Sequence, residues 1–141
     1  MKRESLPKFY HSAAERAAEH YAINVCGCYQ TQRATRNQFQ KVDFWGADVT
    51  GRTRAGRVYY LQVTTGGKEA LRQRRKKLEK HAWNPFEDVL LLQLNRTKEG
   101  RRFRYYFTIW RYLIMDEVRS WTNYYEGYDV PKEWFKSKEK V

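Results

Sequence analysis

Asp48, Gln62 and Thr64 are the residues whose types and spacing speak most directly of chemistry. Asp48 closes a stretch, residues 41–51, that reads as a strand running into a turn at Gly51. Gln62 and Thr64 lie two apart in the β-branched and aromatic segment from Arg57 to Thr65, and alternate residues of a strand share a face. If the two segments pair as a hairpin, Asp48 comes beside Gln62. A carboxylate and an amide oxygen then converge, which suits a hard divalent cation such as Mg²⁺ or Mn²⁺. Each residue also has a plain structural reading: Asp48 as a turn former, Gln62 as a polar residue on a half-exposed strand. Glu15 is a further candidate, projecting from a helix toward the same end of the sheet. Ser12 to Glu15 equally fits a capping box, in which the glutamate only satisfies a backbone donor. Asp43 could be an extra ligand or merely a residue at a strand start.

The elements that must position these side chains can be read in order. A helix is expected from Leu6 to Tyr21, with Pro7 in its first turn and Ala13, Ala14, Ala17, Ala18 and Tyr21 as a small-residue face for close packing on a sheet. A first strand is expected around Val25–Arg33, followed by a polar loop. The two strands of the candidate site come next, joined by a turn rich in Gly and Arg. Gly66 and Gly67 end the second. Lys68 to Trp83 reads as a helix with Ala70, Leu71, Leu78 and Ala82 as a sparse apolar stripe. Asp88 to Leu94 is a continuous apolar run, the mark of a strand covered on both faces. Arg101 to Trp110 alternates, with Phe103, Tyr105, Phe107 and Ile109 on one side. From Arg111 onward a mixture of short helix and aromatic-rich loop is expected, so residues 111–141 read as a C-terminal extension of a single domain. The fold class is therefore α/β, a mixed sheet flanked by helices in the order α-β-β-β-α-β-β.

The chain has 141 residues, enough for one domain with a real core. Its 28 Lys and Arg outnumber 16 Asp and Glu, for a net charge of +12. That excess is the footprint of a polyanionic partner. No apolar run is long enough for a membrane span, and the opening residues lack the apolar core of a signal peptide. A reducing cytosol is the expected compartment. Cys26 and Cys28, one residue apart, close no useful loop, and His11, His20 and His81 offer no zinc-binding set with them.

These segments resemble a known superfamily. His11-Ser-Ala-Ala-Glu15-Arg16, the Asp43 to Asp48 stretch with Gly46, the Gln62-Val63-Thr64 strand and the Lys/Arg-rich helix behind it look like the PD-(D/E)XK nucleases, which have the restriction-endonuclease-like fold. The likeness is to archaeal Holliday-junction resolvases, whose helix start Ser12, Glu15 and Arg16 match, and to phage-type nuclease-like proteins, and it covers about residues 11 to 95. It implies a metal-dependent endonuclease hydrolysing DNA phosphodiesters, with Asp48, Gln62, Glu15 and Asp43 as metal ligands. A homodimer follows by analogy with resolvases, which cut two strands. The family's usual Glu-x-Lys is Gln62-x-Thr64 here. Threonine cannot supply the lysine's charge, so Lys68, Arg72 or Lys76 is expected to take that part.

Two basic clusters would carry the substrate. Arg72, Arg75 and Lys76 share a helix side, and Arg52, Arg54 and Arg57 sit in the turn close to Asp48 in sequence. Two readings compete with the nuclease: a catalytically inactive nucleic-acid-binding module on the same fold, and a basic domain that binds an acidic protein. Carboxylates retained in so basic a chain favour metal, because they would repel phosphate without a cation between them.

Overall fold

The computed structural model describes Leu6 and residues 10–36, 41, 42, 44 and 46–136. Asp43 and Pro7 lie outside the described residues, so the expected ligand role of the first and helical place of the second have no structural counterpart. Helix α1 spans Tyr10–Asn24, and its alanine face is buried together with Tyr21. Strand β1 is Cys28–Arg33; a two-residue pair follows, β2 (Thr35–Arg36) with β3 (Lys41–Val42). Then come β4 (Val49–Thr53), β5 (Val58–Thr64), α2 (Lys68–Glu79), β6 (Glu87–Glu99), β7 (Arg102–Met115) and β8 (Val118–Asp129), with a 3₁₀ turn at Lys132–Phe135.

Six strands form one sheet in the order β1-β4-β5-β6-β7-β8. Among the described strands only β5 and β6 run parallel, and α2 makes the crossover between them that parallel neighbours require. Val49, Leu61, Val63, Leu90, Leu92, Phe107 and Ile109 point to the face that α1 covers. Tyr60 and Val89 point the other way, onto Leu78 of α2. Alternation along each strand thus puts the two helices on opposite faces of a mixed α/β sheet. The apolar run of β6 is buried throughout from Asp88 to Asn95, as a strand covered on both faces should be.

Several sequence expectations need correction. α1 continues to Asn24, three residues past the expected end, because Ala22 adds one more buried contact on the sheet. Residues 41–51 do not form one strand. Gly46 and Ala47 turn the chain, and Asp48 precedes β4 rather than ending a strand. Gly51 does not begin a turn. It pairs with Thr31 and Tyr59 inside β4, where a side chain would meet Cys28 Sγ at 2.9 Å. Close packing, not turning, explains that glycine; the turn comes later, at residues 54–56.

The larger correction concerns the C-terminal third. Arg111 to Asp129 is neither helix nor loop but the end of β7 and all of β8, integral to the sheet, and the expected short helix is confined to the 3₁₀ turn at Lys132–Phe135. β8 is an edge strand, exposed along most of its length, so its sequence lacks the apolar alternation that betrays a half-buried strand. Register irregularities opposite Phe107 to Trp110 twist this edge, a device that discourages edge-to-edge aggregation. Its turn carries no Gly or Asn either. Asp116 (φ 50°) and Glu117 (φ 67°) both occupy the left-handed region that a two-residue hairpin turn demands. Holding a bulky residue there costs about 1 kcal/mol. Glu117→Gly is therefore expected to raise the melting temperature by about 3 °C, read by circular dichroism. A drop would show that the glutamate side chain holds the turn in some other way.

Candidate metal centre and active site

β5 carries Leu61 and Val63 into the core beneath α1, which forces Gln62 and Thr64 to the opposite face. Both are buried, Gln62 at 1% exposure. Antiparallel pairing with β4 brings Asp48 to the same end of β5, where its N–H donates to the Leu61 carbonyl at 2.9 Å. The Asp48 carboxylate Oδ2 accepts from Gln62 Nε2 at 2.8 Å and from the Val63 backbone N–H at 3.1 Å. Asp48 is itself 1% exposed, so a fixed, buried carboxylate stands at the end of the parallel strand pair.

Gln62 is the informative member. Its Nε2 donates twice, to Asp48 and to the Val63 carbonyl, while its buried Oε1 has no hydrogen-bond partner among the described residues. A buried amide oxygen without a partner costs about 1–3 kcal/mol. Rotating the amide would turn Oε1 onto the Asp48 carboxylate, two acceptors abutting, which is tolerable only with a cation between them. In the observed orientation the amide leaves one buried oxygen open to a donor or a cation.

From the other side α1 presents Glu15 and His11, one turn apart on a single helix face. His11 Nε2 lies 4.0 Å from Glu15 Oε2, and one ligand atom from each of His11, Glu15 and Asp48 falls within 4.8 Å of the others. The capping reading of Glu15 falls away, because Ser12 is inside the helix rather than at its cap. His11 is absent from the ligands expected from sequence, and the signal for it is its i, i+4 spacing with Glu15. The set is thus two carboxylates and an imidazole, able to hold a divalent ion, with the Gln62 amide bonded to one of the carboxylates.

Thr64 contributes no charge. Its Oγ1 accepts from the Gly66 N–H at 3.1 Å and shapes the loop into α2. Gln93 of β6 braces that loop from below, donating to the Gly66 carbonyl at 2.8 Å. Among the lysines it is Lys77 whose contact with the Asp48 turn is clear: a Cβ at Gly46 would lie 3.1 Å from its Cγ.

Comparison of the chain with protein-family models, with curated proteins and with solved structures returns no match. The arguments for function therefore rest on geometry.

The basic residues singled out in sequence are dispersed. The turn bearing Arg54 lies at the far end of β4 from Asp48, about 20 Å along extended chain, so neighbours in sequence are not neighbours in space. Arg52 donates to Gln30 Oε1 at 2.7 Å, Arg54 stacks 4.7 Å above Tyr29, and Arg57 pairs with buried Asp88 at 2.6 Å. Asp88 also holds Arg111 at 2.8 Å, so this trio ties the far end of the sheet together. On α2, Arg72 pairs with Glu69, Arg75 lies over the rings of Trp110 and Trp121, and Lys76 is exposed. Lys68 is exposed at the helix start.

Burial pushes the Cys26 thiol up to about 12 and the Cys28 thiol up to about 11, so both stay protonated near neutral pH. The described metal-ligating cluster includes neither. Among the described residues no helix is long and apolar enough to cross a membrane.

Proposed function

We propose that the protein is a metal-dependent nuclease acting on DNA, built on a restriction-endonuclease-like arrangement. The observation that carries this reading is the convergence of Asp48, Glu15 and His11, with the Gln62 amide held against the Asp48 carboxylate. Support for the fold comes from element order and direction: a helix, an antiparallel β1-β4-β5 meander, a crossover helix and a parallel β6. The net charge of +12 supplies the attraction for a polyanion.

Asp48, Glu15, His11 and Gln62 would hold a Mg²⁺ or Mn²⁺ ion. When bound, such an ion polarises a phosphodiester and lowers the pKa of a coordinated water. The chain's own residues then have distinct parts. Asp48, gripped by the Val63 N–H and the Gln62 amide, is a charge of fixed position that needs no reorganisation during reaction. Glu15, at 17% side-chain exposure, reaches solvent, and the carboxylate oxygen turned from the ion would take the proton of an attacking water.

An imidazole among oxygen ligands shifts preference toward later divalent ions. His11→Gln is expected to weaken Mn²⁺ binding about tenfold and Mg²⁺ binding less, as isothermal titration with each ion would read. Equal loss for both ions would count against nitrogen ligation.

The deciding experiment incubates the protein with linear, branched and single-stranded DNA, and with RNA, in Mg²⁺ or Mn²⁺. Metal-dependent cleavage of DNA supports the nuclease. One observation favours a second reading: Thr64, committed to Gly66, leaves the strand without its lysine, as in a module that binds nucleic acid but does not cut it. Salt-sensitive binding with no cleavage under either ion would select that module. A homodimer, cutting two strands, would appear as a doubled mass by light scattering on DNA.

A further inference from the structure

β6 and β7 extend well past the strand that carries the candidate site. The pairing of β5 with β6 ends at Thr64 opposite Gln93, whereas β6 continues from Leu94 to Glu99, about 20 Å farther. On the other side β8 ends at Asp129, opposite Tyr106, and Val130 makes one last bond to the Tyr105 carbonyl. Beyond that point β6 and β7 stand as a two-stranded ribbon, Thr97 to Arg104, closed by Gly100 (φ 63°) and Arg101. The ribbon projects from the same end of the sheet that holds Asp48 and Gln62.

Its charge is one-sided in sign. Arg96, Lys98, Arg101, Arg102 and Arg104 face a single carboxylate, Glu99, between residues 96 and 104. The cations fall on both faces. Pairing puts Lys98 opposite Phe103 and beside Arg96 on one face, and Arg102 with Arg104 on the other. Arg96 stacks on Phe103 at 4.2 Å, and Arg104 is tied to Asp129 at 2.5 Å, so these two stiffen the base of the ribbon. Lys98, Arg101 and Arg102 are exposed and form no ion pair among the described residues.

Resting on the nuclease reading, we propose that this ribbon is a duplex-DNA-binding arm. It enters the major groove, offers a cation to the phosphates of each wall, and delivers the adjoining backbone to the Asp48 end of the sheet. A B-form major groove, about 12 Å wide, admits a two-stranded ribbon, whereas the deep, narrow major groove of RNA does not. Cations on one face alone would suit a ribbon lying flat on a single strand; cations on both suit insertion between two.

The test is a fluorescence-anisotropy titration in EDTA, so that no cleavage intervenes, with a 30-base-pair DNA duplex, one of its strands alone, and an RNA duplex of the same sequence. The wild-type protein is compared with K98Q/R101Q/R102Q and with R74Q/K80Q/K136Q, which removes the same charge elsewhere, at residues outside the clusters expected to carry substrate. Circular dichroism verifies that each variant is folded. Loss of the ribbon cations is expected to weaken DNA-duplex binding at least tenfold and to reduce the slope of log affinity against log salt by about 2 to 3. The control variant should change both much less. Equal losses for the two variants, or equal losses on duplex and single strand, would overturn the arm while leaving the nuclease reading in place. Wild-type protein that binds none of these nucleic acids, or RNA alone, would overturn both.

Discussion

Asp48→Asn is expected to lower the rate of metal-dependent cleavage at least about a thousandfold, equivalent to about 4 kcal/mol of transition-state stabilisation. Asparagine keeps the shape of the side chain. Its Oδ1 can accept from the Val63 N–H and the Gln62 amide just as the Asp48 Oδ2 does, so the local fold should survive. What disappears is the fixed negative charge that a hard cation needs. Calorimetric titration should therefore show Mn²⁺ affinity falling with the rate, while urea denaturation changes little. Asp48→Ala is the poorer probe. It strands two buried donors at about 1–3 kcal/mol each and confounds chemistry with unfolding. An Asp48→Asn protein that cleaves at the wild-type rate would remove Asp48 from the active site.

Phe107→Ala carries the largest expected cost in stability. Phe107 is fully buried on the α1 face of β7, with Tyr21 edge-on at 6.3 Å between ring centres. Truncation removes a large ring from packing that cannot collapse around the void, at about 3–5 kcal/mol. That is a large share of the 5–15 kcal/mol typical of a domain. The urea midpoint should fall with the slope unchanged. A loss below about 1 kcal/mol would mean that α1 and β7 do not share a core.

Much of this core is legible in the order and spacing of the residues alone. Ala13, Ala14, Ala17 and Ala18 announce a helix that lies close on a sheet, because only small side chains permit that approach. The β-branched and aromatic run of β5 and the unbroken apolar run of β6 announce buried central strands, and the helical stripe between them announces the crossover. The two-residue spacing of Gln62 and Thr64 correctly puts both on one face. β8 is illegible for a physical reason. An edge strand faces water broadly and need not alternate, and its turn uses Asp116 and Glu117 where Gly or Asn would signal a hairpin.

The sequence by itself determined the local terms: helix and strand periodicity, the net positive charge, and the pairing of Asp48 with Gln62 through a short hairpin. These depend on residues near one another along the chain. Only the tertiary structure decided which distant residues meet. It swings α1 against β4 and β5, so that His11 and Glu15 reach Asp48 more than thirty residues away. It sends Arg52, Arg54 and Arg57 to the opposite end from Asp48 and lays Arg75 over tryptophan. It also leaves the unremarked cations of the β6–β7 ribbon standing beyond the site. The reason is common to all three. Spacing along a strand or helix sets the face on which a side chain lies, whereas strand order and strand length set its neighbours. Those follow from burying both faces of one six-stranded sheet at once.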